Sequence, residues 1–408
     1  MKMIMVSLLF CLVGMAIFAQ GTDMSYYWGE YNNPTASLVE RLQVLQLVQD
    51  DQLTGIGGFY HDALKVLLAK VPDLKTRDDR EAIDASARIL CRGLANEKYT
   101  PAAPELWQTV QSFHVPRTLF DGLVMQEAFN ALGQVEAREF LPRIIQSLND
   151  LNLLGTSDAE TRRRIQRAVA GAISALEALH DPGGFRPVFF ASVGWYDQAI
   201  KNIALAALPN IMDDPSAVII EIIRDNSNSP AVKYVAWQAM LQTRAPNTSK
   251  ARVAAVALEI GWSYSTSDMM LQRNAREMRK SAIDTIALYG AQDSSVYANL
   301  ARSYNNNYIT TVPDFDEIRK TLGALSVLGT EESGNLLYGF LRELNSRRRT
   351  GPWSNKERQV LQLLLPSIGA SKTQSPAMMQ LLNSIQRTDS YTVTEQNWAR
   401  DALRQLGH

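Results

Sequence analysis

The sequence predicts an all-α fold, an α-solenoid of about nine stacked antiparallel helix pairs, and three observations predict it. The first is a recurring helix template. Counted from Met278, its offsets plus four, plus seven, plus eight and plus twelve fall on Ala282, Thr285, Ile286 and Gly290, an apolar stripe closed by glycine. It restarts at Ile83, Asp121, Ile165, Ile200, Val232, Glu317, Glu357 and Glu395, at intervals of 32 to 46 residues, which leave room for two helices and two turns. The second is agreement between columns. Plus eight is apolar in every copy, from Cys91 and Phe129 to Leu403, and plus seven is mostly alanine, so small beside large forms a seam on which two helices can close. The third is the chemistry of the junctions. Asp181-Pro182, Asp214-Pro215, Asp293-Ser294-Ser295 and Ser375-Pro376 place a capping side chain or a first-turn proline where a helix must begin.

Taken in order, the chain of 408 residues opens with one lysine and an uncharged apolar run that ends at Ala19. Residues 1–19 have the form of a secretory signal peptide, with cleavage expected near Ala19-Gln20 and export to a periplasmic or secreted location. Residues 20–36, with Tyr26, Tyr27, Trp28 and Tyr31 in a polar setting, suggest an aromatic tether. Ser37 to Val48 and Tyr60 to Val71 follow as helices, with Gly55, Gly57 and Gly58 as the turn between them. That turn lacks the lysine of a phosphate loop. From residue 37 to 408 the chain reads as one solenoid. Each template helix, B, follows an apolar helix, A, such as Pro215 to Arg224 or Ser249 to Ile260. The long turn Tyr304 to Asp314 is the place where such a rod would bend.

The run Asp225 to Met240 carries Asp225, Pro230, Val232, Lys233, Ala236 and Ala239 in an order that resembles the HEAT-repeat family, and Asp197 to Leu208 is a second such match. The resemblance extends from about Ile83 to the C-terminus. Departures stand at Ser326 and in the unit that starts at Asp121, which has no basic residue at plus one. It implies a stacked helical rod that binds other macromolecules, while a fold by itself names no activity.

Without the leader, 40 basic residues face 42 acidic ones, a balance that argues against a nucleic-acid rod. Cys91 is then the single cysteine, so no intramolecular disulfide can staple the mature chain. The four histidines, His61, His114, His180 and His408, are scattered, and no metal site, cofactor motif or catalytic cluster is expected. Two patterns remain as candidate binding features. Trp195, Tyr196, Trp262, Tyr264, Tyr304, Tyr308, Trp353 and Tyr391 fall at A-to-B turns, which emerge on one edge of a solenoid and so predict an aromatic ridge. Lys201, Lys233, Arg279 and Arg358 share offset plus one, which predicts either a cationic stripe or a ladder of pairs with acids of adjacent turns. The basic runs Arg162 to Arg164 and Arg347 to Arg349 are expected in A-to-B turns. The function expected is a non-catalytic, protein-binding scaffold of the bacterial envelope or secreted space. The alternative is a glycan-binding or glycan-cleaving α/α-toroid, which would need carboxylates converging on one cleft.

Overall fold

The structure, a computed structural model, describes residues 24–407 apart from 119, 264–267, 292, 372 and 374. The expected leader therefore lies outside the described residues, as do Tyr264 and His408. No strand occurs among the described residues, and no helix there is long and apolar enough to cross a membrane. The helices pack against their neighbours in sequence order, as a solenoid requires.

The chain divides into two compact units, one ending at Met212 and the other beginning at Asp213. Each contains five A–B pairs. In the first unit the A helices are α1 (24–31), α3 (Gly57–Leu68), α5 (Ala103–Ser112), α7 (Leu141–Leu153) and α9 (Phe185–Val193). Its B helices are α2 (Leu38–Asp50), α4 (Arg77–Asn96), α6 (Leu123–Gln134), α8 (Ala159–Leu179) and α10 (Gln198–Ile211). In the second unit α11 (Ser216–Arg224), α13 (Asn247–Gly261), α15 (Ser295–Ile309), α17 (Glu331–Thr350) and α19 (Pro376–Arg387) are A helices. They alternate with the B helices α12 (Pro230–Gln242), α14 (Met269–Tyr289), α16 (Phe315–Leu328), α18 (Asn355–Gly369) and α20 (Val393–Gln405). Within each unit every B helix packs on the next B helix, which builds a continuous seam of B helices.

The template marks B helices. Each of its nine copies lies on or at the start of one, α4 through α20, and the plus-four, plus-seven and plus-eight residues of all nine are buried. The two polar exceptions are accommodated locally. Thr285 and Thr321 return their hydroxyls to the carbonyls of Ser281 and Glu317, four residues back, at 2.9 and 2.8 Å. The glycines at plus twelve do two different jobs. Gly290, Gly329 and Gly407 have positive φ (90°, 59° and 90°), a region costly for a side chain. Gly133 instead lets α6 and α8 touch, since a Cβ there would meet the Ala175 backbone at 2.9 Å.

Two expectations change at this level. The segment expected as a tether is helical from residue 24 and makes a tenth pair with α2. Tyr31 is fully buried and donates its hydroxyl to the Ala63 carbonyl at 3.1 Å, while Trp28 stands edge-on to Phe59. Arg41 fastens the connection by donating to the carbonyls of Tyr31 and Asn33. Aromatic burial decides the outcome where polar neighbours suggested a free segment. The second change concerns Tyr304 to Asp314. Residues 304–309 are the last turns of α15, with Tyr304 and Tyr308 buried in its packing face, so the connection proper is six residues shorter than its polarity suggests.

Candidate functional site

The edge at which A helices turn into B helices carries nearly all of the unusual chemistry. It also places most of the residues singled out in the sequence, although few of them face solvent. Tyr196, Tyr304, Tyr308 and Tyr391 are buried, and Trp195, Trp262 and Trp353 are half-buried. Tyr196 donates its hydroxyl to Asn152 Oδ1 at 3.0 Å, and Tyr391 donates to Asn345 Oδ1 at 2.8 Å. Tyr304 stacks on Phe340 at 3.8 Å between ring centres, Trp353 stands edge-on to Tyr391, and Trp262 Nε1 donates to Ser303 Oγ at 2.8 Å. The rings fold back over the helix ends of the adjoining repeat, where burial of their large apolar faces outweighs display to solvent. An exposed aromatic ridge is therefore not what these residues form. Burial also raises the hydroxyl pKa of Tyr308 and of Tyr391 to about 12, so both stay protonated.

Two of the plus-one cations, Lys233 and Arg279, are buried. Arg279 reaches Glu317 on the next B helix with a two-pronged contact of 2.8 and 2.9 Å. Its guanidinium lies 3.7 Å from the centre of the Trp262 ring and also donates to the Gly261 carbonyl. Arg358 makes the equivalent contact with Glu395 at 3.2 Å. Lys233 is buried, and desolvation lowers its ammonium pKa against the pull of Asp225. Only Lys201, half-buried on α10, keeps an ammonium without a hydrogen bond or ion pair among the described residues. At two joints, Arg279 to Glu317 and Arg358 to Glu395, the offset thus builds a rung from plus one of one B helix to the start of the next. The two basic runs lie in helices: Arg162 to Arg164 in the first turns of α8, and Arg347 to Arg349 in the last turn of α17. Arg164 donates to the carbonyls of Thr118 and Phe120, Arg347 pairs with Glu343, and Arg348 donates to the Ser390 carbonyl.

Grooves open on this edge in both units. In the second unit a groove of about 510 Å³ is lined by Trp262, Arg276, Arg279, Val312, Asp314 and Phe315, among others. Its charges are closely matched. Lys280 contacts Asp314 at 2.9 Å and Asp316 at 3.2 Å. Although burial works against the Asp314 carboxylate, the Lys280 contact and the backbone N–H of Glu317 hold its pKa below the ordinary range.

In the first unit a groove of about 640 Å³ lies between the N-terminal half of α4 and the connection from α5 to α6. Leu74 and Phe120 give it apolar surface, and Arg77, Arg80, Glu81, Asp84, Arg88 and Asp121 give it charge. Here the ladder carries like charges. Asp84 occupies plus one and Asp121 the start of the next B helix, the offsets held by Arg279 and Glu317 in the second unit. Each acid is met by an arginine from elsewhere: Asp84 by Arg88 at 3.0 Å and Asp121 by Arg167 at 2.9 Å. The Asp84 carboxyl is pushed up to about 6, by desolvation first and by Asp121 in addition, against the opposing pull of Arg88 and Arg167. Neither groove is lined by histidine or cysteine. His61 contacts Glu105 at 2.8 Å, and His180 closes α8 in a left-handed conformation with Nδ1 donating to the Asn210 carbonyl. Cys91 is buried, and desolvation raises its thiol pKa, which leaves it unreactive.

The α4 stripe Arg77, Arg80, Asp84, Arg88 was not among the sequence candidates. Its signal was available, because spacings of three, four and four place the four charges on one face of a helix. Comparison with protein-family models and with curated proteins gives no match to this chain.

Proposed function

We propose that the chain is an exported, HEAT-type binding scaffold that engages a protein partner along the edge where its A helices turn into B helices. The observation that carries this reading is the first-unit groove, a concave surface combining Phe120 and Leu74 with charged side chains on a rigid B helix. Grooves between stacked helix pairs are the surfaces such folds use for binding. The test is in-cell cross-linking of the mature chain, followed by mass spectrometry and titration of whatever co-purifies. A saturable, stoichiometric partner supports the scaffold, and its absence overturns it. Export is checked by N-terminal sequencing of the protein from the envelope or medium, which is expected to begin at Gln20.

The glycan reading keeps one specific observation. Two carboxylates, Asp84 and Asp121, line one groove, and burial pushes the Asp84 carboxyl up to about 6, toward the range of a glycosidase general acid. Release of reducing ends from cell-wall glycan by the wild-type protein, lost in Asp84→Asn, would favour this second reading.

A further inference from the structure

Arg80 is the one charged residue lining the first-unit groove whose side chain is uncommitted. Arg77 donates to Glu81 at 2.7 Å, Arg88 contacts Asp84 at 3.0 Å, and Asp121 takes Arg167 at 2.9 Å. The Arg80 guanidinium makes no hydrogen bond or ion pair among the described residues, although it lines a cavity of about 640 Å³. Each acid in the groove already has its counter-charge, so an incoming cation would meet no free carboxylate. An incoming anion would meet a free guanidinium, with exposed Arg77 one turn away on the same face of α4. Beside these cations stand Leu74 and Phe120, both half-buried, the latter braced by Phe113 at 4.5 Å between ring centres.

We propose that this groove receives an acidic segment of the partner, with one carboxylate on Arg80 and Arg77 and an adjacent apolar side chain against Phe120 and Leu74. The proposal rests on the scaffold reading and specifies the chemistry of its partner. A peptide fits better than a polyanion, because Glu81 and Asp121 at the same groove repel a continuous run of negative charge, whereas a single carboxylate can be accommodated between them and Arg80. The volume suits two or three side chains.

The test uses the mature full-length chain and two terminally blocked hexapeptides of glycine and serine, one carrying a single glutamate beside a leucine, the other a single lysine beside a leucine. Binding is followed by fluorescence anisotropy and by the side-chain Nε–H resonance of Arg80. The glutamate peptide is expected to bind saturably and to shift that resonance, with affinity falling as salt rises. The lysine peptide is expected to bind roughly tenfold more weakly or not at all. Arg80→Glu is expected to lose roughly tenfold in affinity for the glutamate peptide at unchanged melting temperature, while Arg80→Lys retains most of it. Equal binding of both peptides, undiminished binding by Arg80→Glu, or no saturable binding of the glutamate peptide overturns the proposal. If cross-linking still yields a stoichiometric partner in that case, the scaffold reading stands and only the groove assignment falls.

Discussion

The two units solve the same joint in opposite ways. Between α14 and α16 the ladder positions hold Arg279 and Glu317, buried and joined at 2.8 and 2.9 Å under the Trp262 ring. Between α4 and α6 the same positions hold Asp84 and Asp121, each neutralised by an arginine from outside the ladder. A matched pair closes its seam from within. A mismatched one needs borrowed counter-charges, leaves one carboxyl poorly solvated, and is found beside the larger groove. Surfaces that must accept a ligand are drawn from the less stable parts of a fold, and the proposed groove lies at the mismatched joint.

The contrast can be broken most severely in the second unit. Glu317→Ala leaves Arg279 buried without its partner and is expected to cost about 3–5 kcal/mol, lowering the calorimetric transition of that unit by roughly 10 °C. The first unit should respond in the opposite sense. The Asp84 carboxyl has a folded pKa of about 6 against 3.8 unfolded, so the folded state holds the proton more tightly between those values. Its cost is present in full above pH 6 and is relieved as pH falls through 6 toward 4. Asp84→Asn is therefore expected to stabilise by about 1–3 kcal/mol at pH 7.5 in the first unit's denaturation curve. The gain should shrink to nothing near pH 4, and a gain that grows on acidification would contradict the assignment.

Smaller effects sharpen the comparison. Arg358→Ala removes a half-exposed partner from buried Glu395, which still accepts the Thr392 backbone N–H at 2.8 Å, so about 1 kcal/mol is expected in urea unfolding. Arg80→Glu touches no partner in the fold and should leave the melting temperature unchanged within the equivalent of about 0.5 kcal/mol.

The repeat could be read from the chain because its strongest determinants are local. Buried columns at plus four, plus seven and plus eight follow from helical periodicity, and the nine B helices that carry the template lie where those columns place them. The first pair could not be read in this way. Residues 24–31 are held by tertiary contacts of Tyr31 and Trp28 with α3, which local patterning does not encode. Trp195, Tyr196, Trp262, Trp353 and Tyr391 lie in A-to-B connections, whereas Tyr304 and Tyr308 belong to α15, and whether a ring faces outward depends on what the adjoining repeat offers it. For Tyr196 that is Asn152, 44 residues earlier, and for Trp262 it is Ser303, 41 residues later. The groove was missed for a related reason. Offset plus one takes its meaning from the residue opposite as much as from the side chain it carries, and the pairing of Asp84 with Asp121 emerges only when the column is set against the start of the following copy.

The paired tyrosine and asparagine have a practical use. Tyr196 reaches Asn152 in one unit and Tyr391 reaches Asn345 in the other, at separations of 44 and 46 residues. In both cases a phenol on a connector is tied to an amide near the end of the A helix one repeat earlier. Such a polar tie records which repeats adjoin independently of hydropathy. An asparagine followed after one repeat length by a connector tyrosine can therefore serve to align stacked helices in chains whose apolar pattern is too blurred to set the frame.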